Sequence, residues 1–370
     1  MNPIIELTGR KNENVLFKLM GINVSLSNAL RRTVLSDIPI IVFRTMEEKT
    51  NKCKIFTNTS RLNNEILKQR LSCIPIHIKD GNFPFANYNM ELNVENTTEN
   101  IQIVTTADFT INDLTNETKL SQKDVREIFP PFSTALQDFY IDFMRLRPGN
   151  NTNLVSEKIH LICDFDVSTA KENGMFNVVS TCAYGFTVDD AKLEIELQKK
   201  KQQWKDDNKN INDEEKNWRL LDGKRITVPD SFDFRIKSVG VFTEYEILEK
   251  ACNVIIKKLK YQETLLETDA LKIEVSNTTL SNSFDITLDN EDYTIGKAIE
   301  FVLYDKYYNG IETLSFCGFS KTHPHDDHST IRLAYKLPTD VTSVKEHIKD
   351  ALNDLVNVYL KLREQCKKIK

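Results

Sequence analysis

Between Asn14 and Met20 apolar and polar residues alternate, and beyond Gly21 the period changes. Val15, Phe17 and Leu19 fall on one side of an extended segment, which predicts a strand with one covered face. After a short turn, Leu26, Ala29, Leu30, Val34 and Leu35 recur at helical spacing, the signature of an amphipathic helix. Ser25 is placed to cap it, its hydroxyl accepting a first-turn amide. Pro39 forbids continuation, so the helix is expected to stop at Asp37 or Ile38.

The pattern returns far downstream. Phe284, Ile286 and Leu288 alternate, Asp289 to Asp292 make a polar turn, and Thr294 reads as the cap. Ile295, Ala298, Ile299, Val302 and Leu303 then form the helical stripe. Such self-similarity predicts one supersecondary unit used twice. A long helix follows each copy. In the first, Ile247, Ala251, Ile255 and Leu259 step by four; in the second, Val344, Ile348, Leu352, Leu355, Tyr359 and Leu362 share a side of a helix expected over 342–368. Each could pack on its own sheet. The matched order favours the other arrangement, in which both pack together about a pseudo-two-fold axis, as in a dimer with its protomers joined.

The first copy is interrupted. Its closing strand, with Phe232, Phe234 and Ile236 alternating, comes long after the Arg31–Arg32 helix, and the interval holds strands of its own, such as Ile159, Leu161 and Cys163. The expected architecture is α+β: a first domain from 1–45 and 227–268, a β-rich inserted domain over 46–226, and a second, smaller domain over 269–370. The run 198–222 carries charges of both signs, which predicts a solvated helix or loop rather than a binding patch. LKIEV, 271–275, reads as an edge strand.

Composition narrows the class. A net charge of −5 over 370 residues gives no whole-chain attraction to nucleic acid or anionic membrane. Seven cysteines are scattered without a CxxC pair, so they read as reduced, mostly buried thiols rather than a zinc ribbon. No apolar run approaches a bilayer span, and the first residues lack the apolar core of a signal peptide. A cytosolic or nuclear setting is the expectation.

Two stretches raise the question of chemistry. KTHPHDDH places His323, His325 and His328, three of the six histidines, around two aspartates, and a metal-dependent hydrolase could use them. Pro324 fixes the backbone between the first two, and the spacing is not that of a helical ligand pair. DFDVS, Asp164 to Ser168, matches the nucleophile motif of aspartate-based phosphotransferases. It lacks a paired carboxylate at a suitable distance and reads better as an alternating strand with two exposed aspartates. There is no P-loop, GxGxxG, HExxH or nucleophile elbow.

The string NVSLSNALRRTVLSDIPIIVF, 23–43, closely resembles the signature helix of alpha-type RNA polymerase subunits. SRLNNEILKQRLSCIPI, LRPG at 146–149 and FDFRIKSVG at 232–240 resemble later landmarks of the third-largest-class subunit, in order. EDYTIGKAIEFVL, and THPHDDHSTIRLAY as a PHP-type turn followed by a strand, resemble the small, eleventh-subunit-like partner. The resemblance therefore covers both partners in series. It is similar to fused subunits in polymerases of large nucleocytoplasmic DNA viruses.

What this implies is a non-catalytic platform: two alpha-type dimerisation units forming an intramolecular pseudo-dimer, on which the largest and second-largest polymerase subunits dock. Other small subunits would also be partners. DNA would be met only through the complex, no membrane is implied, and no homodimer is needed. Asn28, Leu30, Arg31, Arg32, Asp37 and Pro39 are implied at the subunit interface, an internal salt bridge being the other use for the two arginines. Leu26, Ala29, Ile295, Ala298, Val302, Ile348 and Leu355 are implied in the pseudo-dimer core. No catalytic residue and no bound cofactor is expected, magnesium belonging to the largest subunit. Cys53 and Cys73 do not reproduce the family's metal-binding cysteine cluster. The implied setting is the virion and host cytoplasm, with the nucleus open. A generic dimerising adaptor remains the third reading.

Overall fold

The computed structural model describes residues 1–81, 83–149, 156–207 and 209–368. Strand β1 (Ile4–Lys11) turns back on β2 (Asn14–Met20) through Asn12 and Glu13, with φ of 48° and 62°. Two left-handed residues give the hairpin turn that suits strand twist. At Gly21, φ is +70° and a Cβ would lie 2.3 Å from the Asn2 carbonyl oxygen, so only glycine fits.

Helix α1 (Val24–Ser36) follows. Its cap is Asn23 rather than Ser25: the Asn23 Oδ1 accepts from the Ser25 amide at 2.9 Å. The planar Asn23 amide, two positions earlier, reaches a first-turn amide, and the serine is already helical. The chain then returns to this unit with β3 (Val179–Val188), α2 (Asp190–Asp206), α3 (Ile211–Leu220), β4 (Thr227–Ser238) and α4 (Glu244–Glu267). The sheet order is β1-β2-β4-β3. In the β2–β4 register Phe17 faces Phe234 and Leu19 faces Phe232, and the first pair of rings stacks at 5.0 Å.

The second copy runs β5 (Ile273–Val275), β6 (Ser283–Asp289), α5 (Tyr293–Leu303), β7 (Leu314–Ser320), β8 (His328–Tyr335) and α6 (Val341–Lys368). Its sheet order is β5-β6-β8-β7, the same permutation as the first. LKIEV supplies edge strand β5. The cap of α5 is Asp292, whose Oδ1 accepts from the Thr294 amide at 2.8 Å; Thr294, expected as the cap, lies one step inside and is buried. Both short helices thus start from an Asx residue two positions before the hydroxyl residue. α5 lies so close to β7 that a Cβ at Gly296 would meet the Phe319 ring at 1.9 Å. Gly296→Ala is expected to cost about 1–3 kcal/mol, the usual penalty for overpacking, read as a lowered urea midpoint.

The two long helices pack on each other, and α5 packs on α6. α4 buries Ile247, Ala251, Ile255 and Leu259; α6 buries Val344, Ile348, Leu355 and Leu362. Each such Val, Ile or Leu side chain contributes roughly 1.5–3 kcal/mol on removal from water. Along the seam, Arg363 Nη1 donates to Asn253 Oδ1 at 3.1 Å and Lys349 Nζ to Glu267 Oε1 at 2.7 Å. Cys252 and Cys366 are both buried there, and the Cys252 thiol is held well above its ordinary pKa by its thiol neighbour and by burial.

These elements form one compact unit of residues 1–34, 181–237 and 244 onward; residues 35–180 with 238–243 form another. The segment 181–226, expected within the inserted domain, belongs with the first unit because β3 pairs with β4. The charged run is neither loop nor single helix. α2 and α3 pair through Leu193, Leu197, Trp204 and Trp218, and Lys201–Glu215 at 2.7 Å and Arg219–Glu194 at 3.0 Å join their outer sides. The other unit centres on a five-stranded antiparallel sheet in the order Cys53–Asn58, Lys158–Asp164, Tyr88–Glu95, Thr110–Asp113 and Thr118–Lys119. Phe43, Phe109, Phe129 and Phe143 fill its core.

Candidate functional site

Polar contacts tie α1 to α6 and to the start of α5. Leu26, Ala29, Leu30 and Val34 all lie at or below 1% exposure. Leu30, implied at an outer interface, is a core residue: the helical period that places Leu26 inward places position 30 there too. Ile295, Ala298, Val302, Ile348 and Leu355 are likewise buried. Tyr359 of α6 is fully buried, and its hydroxyl donates to the Leu26 carbonyl at 3.0 Å. Burial pushes that phenol far up in pKa, so it stays a neutral donor.

Arg32 is used internally. Its Nη2 donates to Asp292 Oδ2 at 2.9 Å and its Nε to Thr294 Oγ1 at 2.9 Å. One guanidinium therefore spans from the first copy to the helix cap of the second, and Asp292 serves both at once. This is the internal salt bridge that the sequence left open, so Arg32 is corrected from an outward contact to a clamp. Lys258 on α4 reaches Glu291 beside it at 3.4 Å. Arg31 points elsewhere on α1, its Nε bonded to Asn28 Oδ1 at 3.0 Å, and both are part-exposed. Asp37 and Pro39 lie just past the helix, with Pro39 exposed. Sequence reasoning missed Asp292, Thr294 and Tyr359 as members of this set. The available signal was an Asp placed where the first copy has Asn23.

The three histidines do not form one site. His323 and His325 sit in an exposed turn closed by His323 N–H donating to Asp326 Oδ2 at 2.8 Å. His328 instead opens β8, facing Asp289 across the ladder. Among the described residues no group of three His, Cys, Asp or Glu is placed to hold a metal ion. In DFDVS, Asp166 is matched by Arg44 Nε at 2.9 Å, a structural use. Asp189 caps α2 by accepting from Lys192 N at 3.0 Å, which holds its pKa below the usual carboxylate range.

His347 on α6 does carry a consequence. Its Nδ1 meets the Tyr335 hydroxyl at 3.0 Å, and the Tyr307 ring lies 4.0 Å away between centroids. Burial lowers its pKa, against the pull of Asp350. The unfolded chain therefore takes up the proton first as pH falls, so the stability contributed is full above the ordinary histidine range and lost on acidification through it. A urea midpoint measured from pH 7.5 to 5 is expected to fall, and His347→Gln to flatten that dependence.

The profile described as the RNA polymerase Rpb3/Rpb11 dimerisation domain matches residues 16–259, from β2 into α4. DNA-directed RNA polymerases I and III subunit rpac1 of Dictyostelium discoideum is 25% identical over 291 residues, covering 70% of this chain and 80% of that protein. The human RPAC1 subunit is 34% identical over 85 residues, 23% of this chain and 22% of its own length. A putative DNA directed RNA polymerase subunit, R470, of Acanthamoeba polyphaga mimivirus is 31% identical over 137 residues, 37% of this chain and 34% of its own.

Proposed function

The chain belongs to the RNA polymerase Rpb3/Rpb11 dimerisation-domain family, and on that premise we propose that it carries both halves of the paired scaffold in one polypeptide. It is a non-catalytic assembly subunit of a multisubunit DNA-directed RNA polymerase. The observation that carries the fused-pair reading is the repeated strand order, β1-β2-β4-β3 and β5-β6-β8-β7, with each sheet's long helix packed on the other's. A pseudo-two-fold axis would pass between α4 and α6. The family match ends within α4, so the second half rests on this internal correspondence and not on the comparison.

In this role the pseudo-dimer is the platform for the two large catalytic subunits. Asn28 and Arg31 on the outer side of α1 are the residues we place against one of them, with Asp37 and Pro39 following. Arg31 suits that task, since a guanidinium offers forked donors to carboxylates or carbonyls. The mimivirus relative supports service in transcription of a large DNA virus; we place that service in the virion and host cytoplasm, with the nucleus open. The chain binds no metal of its own in this reading, and stoichiometric zinc in the purified protein would contradict that.

The test is co-purification. Full-length tagged chain expressed with the two large subunits of its polymerase should recover both in equal stoichiometry, and Arg31→Glu should reduce recovery of one at least several-fold. Recovery of the chain as a lone, catalytically active species would reject the assembly role.

A further inference from the structure

The unit of residues 35–180 holds a groove that the scaffold role leaves unused. It runs between the helix Asn64–Ser72 and the strand Asp142–Leu146. Two adjoining depressions, about 400 and 300 Å³, share Arg70, Asp142 and Phe143. At one end Arg61, Arg145 and Arg147 converge; at the other lie Cys73, Ile74 and Ile141.

The groove is built, not incidental. Arg70 is pinned across it, Nε to the Phe143 carbonyl at 2.6 Å and Nη2 to the Asp142 carbonyl at 2.7 Å. These bonds hold helix and strand apart at a fixed width without neutralising the guanidinium. Arg147 is matched by Glu157, Nε to Oε1 at 2.7 Å. The Arg145 side chain is 69% exposed, with Asp142 Oδ2 at 3.9 Å, and Arg61 is exposed. The lining thus carries four arginines against two carboxylates, in a chain whose net charge is −5. Aliphatic side chains border the charges: Ile101 is 60% exposed and Ile141 43%.

We propose that this groove receives an extended acidic–apolar segment of another polypeptide, carboxylates on Arg61 and Arg145 and aliphatic side chains against Ile101 and Ile141. Charge complementarity selects the acidic partner. The exposed isoleucines select a polypeptide over a nucleic acid, because single strands are held by stacking on aromatic faces, and Phe143, the aromatic of the lining, is 1% exposed. That the segment belongs to another polymerase subunit rests on the assembly role above; the groove's chemistry does not.

Cys73 provides the probe, since it alone of the seven cysteines is exposed. Cys317→Ser removes the half-buried competitor. An environment-sensitive dye on Cys73 of the full chain should respond to a short peptide alternating glutamate and leucine. The glutamine counterpart, and the Arg61→Glu/Arg145→Glu variant with unchanged melting, should bind roughly tenfold more weakly or worse. No peptide response, a charge reversal that shifts affinity less than about twofold, or tighter binding of oligouridylate would overturn the proposal. In the assembled polymerase, a benzophenone on Cys73 should cross-link to an acidic segment of another subunit. Assembly without peptide binding or cross-link sinks the groove alone. Peptide binding without co-purification of the large subunits sinks the assembly role alone.

Discussion

Leu355→Asp will unlock both long helices together, although the substitution lies on only one. Leu355 is fully buried on α6, the helix packed on α4 and α5. Truncation to alanine should cost about 2–5 kcal/mol through lost transfer energy and the cavity left behind. Aspartate adds an unpaired carboxylate in an apolar site, which moves the effect beyond roughly 4–5 kcal/mol. Amide hydrogen exchange is the appropriate measurement, because a chain of two compact units need not unfold in one step. Protection should fall in α4 as well as α6. If α4 keeps its protection while α6 opens, the two copies fold independently and the joined-scaffold reading is wrong.

Arg32→Glu should be the most damaging change at any part-exposed position of α1. It removes two donors from Asp292 and Thr294 and sets a carboxylate against the one that caps α5. Hydrogen bonds to charged groups contribute about 1.5–3 kcal/mol, and solvent access at 36% and 27% of the two side chains argues for the lower part of that range. A double-mutant cycle pairing Arg32→Met with Asp292→Asn isolates the link. A coupling of about 1 kcal/mol or more is expected for residues in direct contact. Coupling indistinguishable from zero would return Arg32 to the outer surface. Arg31→Met in the same assay should leave stability nearly unchanged, since its bond goes to Asn28 on its own helix.

The contrast between these neighbouring arginines marks what a sequence can carry. Periodicity located α1, α5, α4 and α6 within a few residues, because burying one face leaves a repeating mark in the chain. It also put the buried positions at 26, 29, 295, 298, 302, 348 and 355. Side-chain partners leave no such mark. Arg32 and Asp292 are 260 positions apart, and only the close approach of α1 to the start of α5 makes them a pair. Leu30 differs for another reason: the family resemblance implies an outer contact where the local helical period points inward. The caps were misread by two positions at both copies, since Asx and hydroxyl residues compete for the same free amides and the Asx residue comes first. The His cluster looked like chemistry because residue types alone say nothing of convergence. Its members divide between a turn and a strand.

One consequence of the connection between α4 and β6 concerns dilution. The two halves are tethered by the residues between Glu267 and Ser283, β5 included. Pairing of separate subunits is bimolecular and slows as either becomes scarce. A tether this short sets the effective concentration of each half for the other at roughly the millimolar level. Scaffold formation is then a unimolecular event, and neither half can accumulate in excess. On the joined-scaffold proposal, the pairing should be as complete in a cell holding a handful of copies as in a concentrated preparation, and recruitment of the proposed large subunits would be the first step whose rate depends on supply.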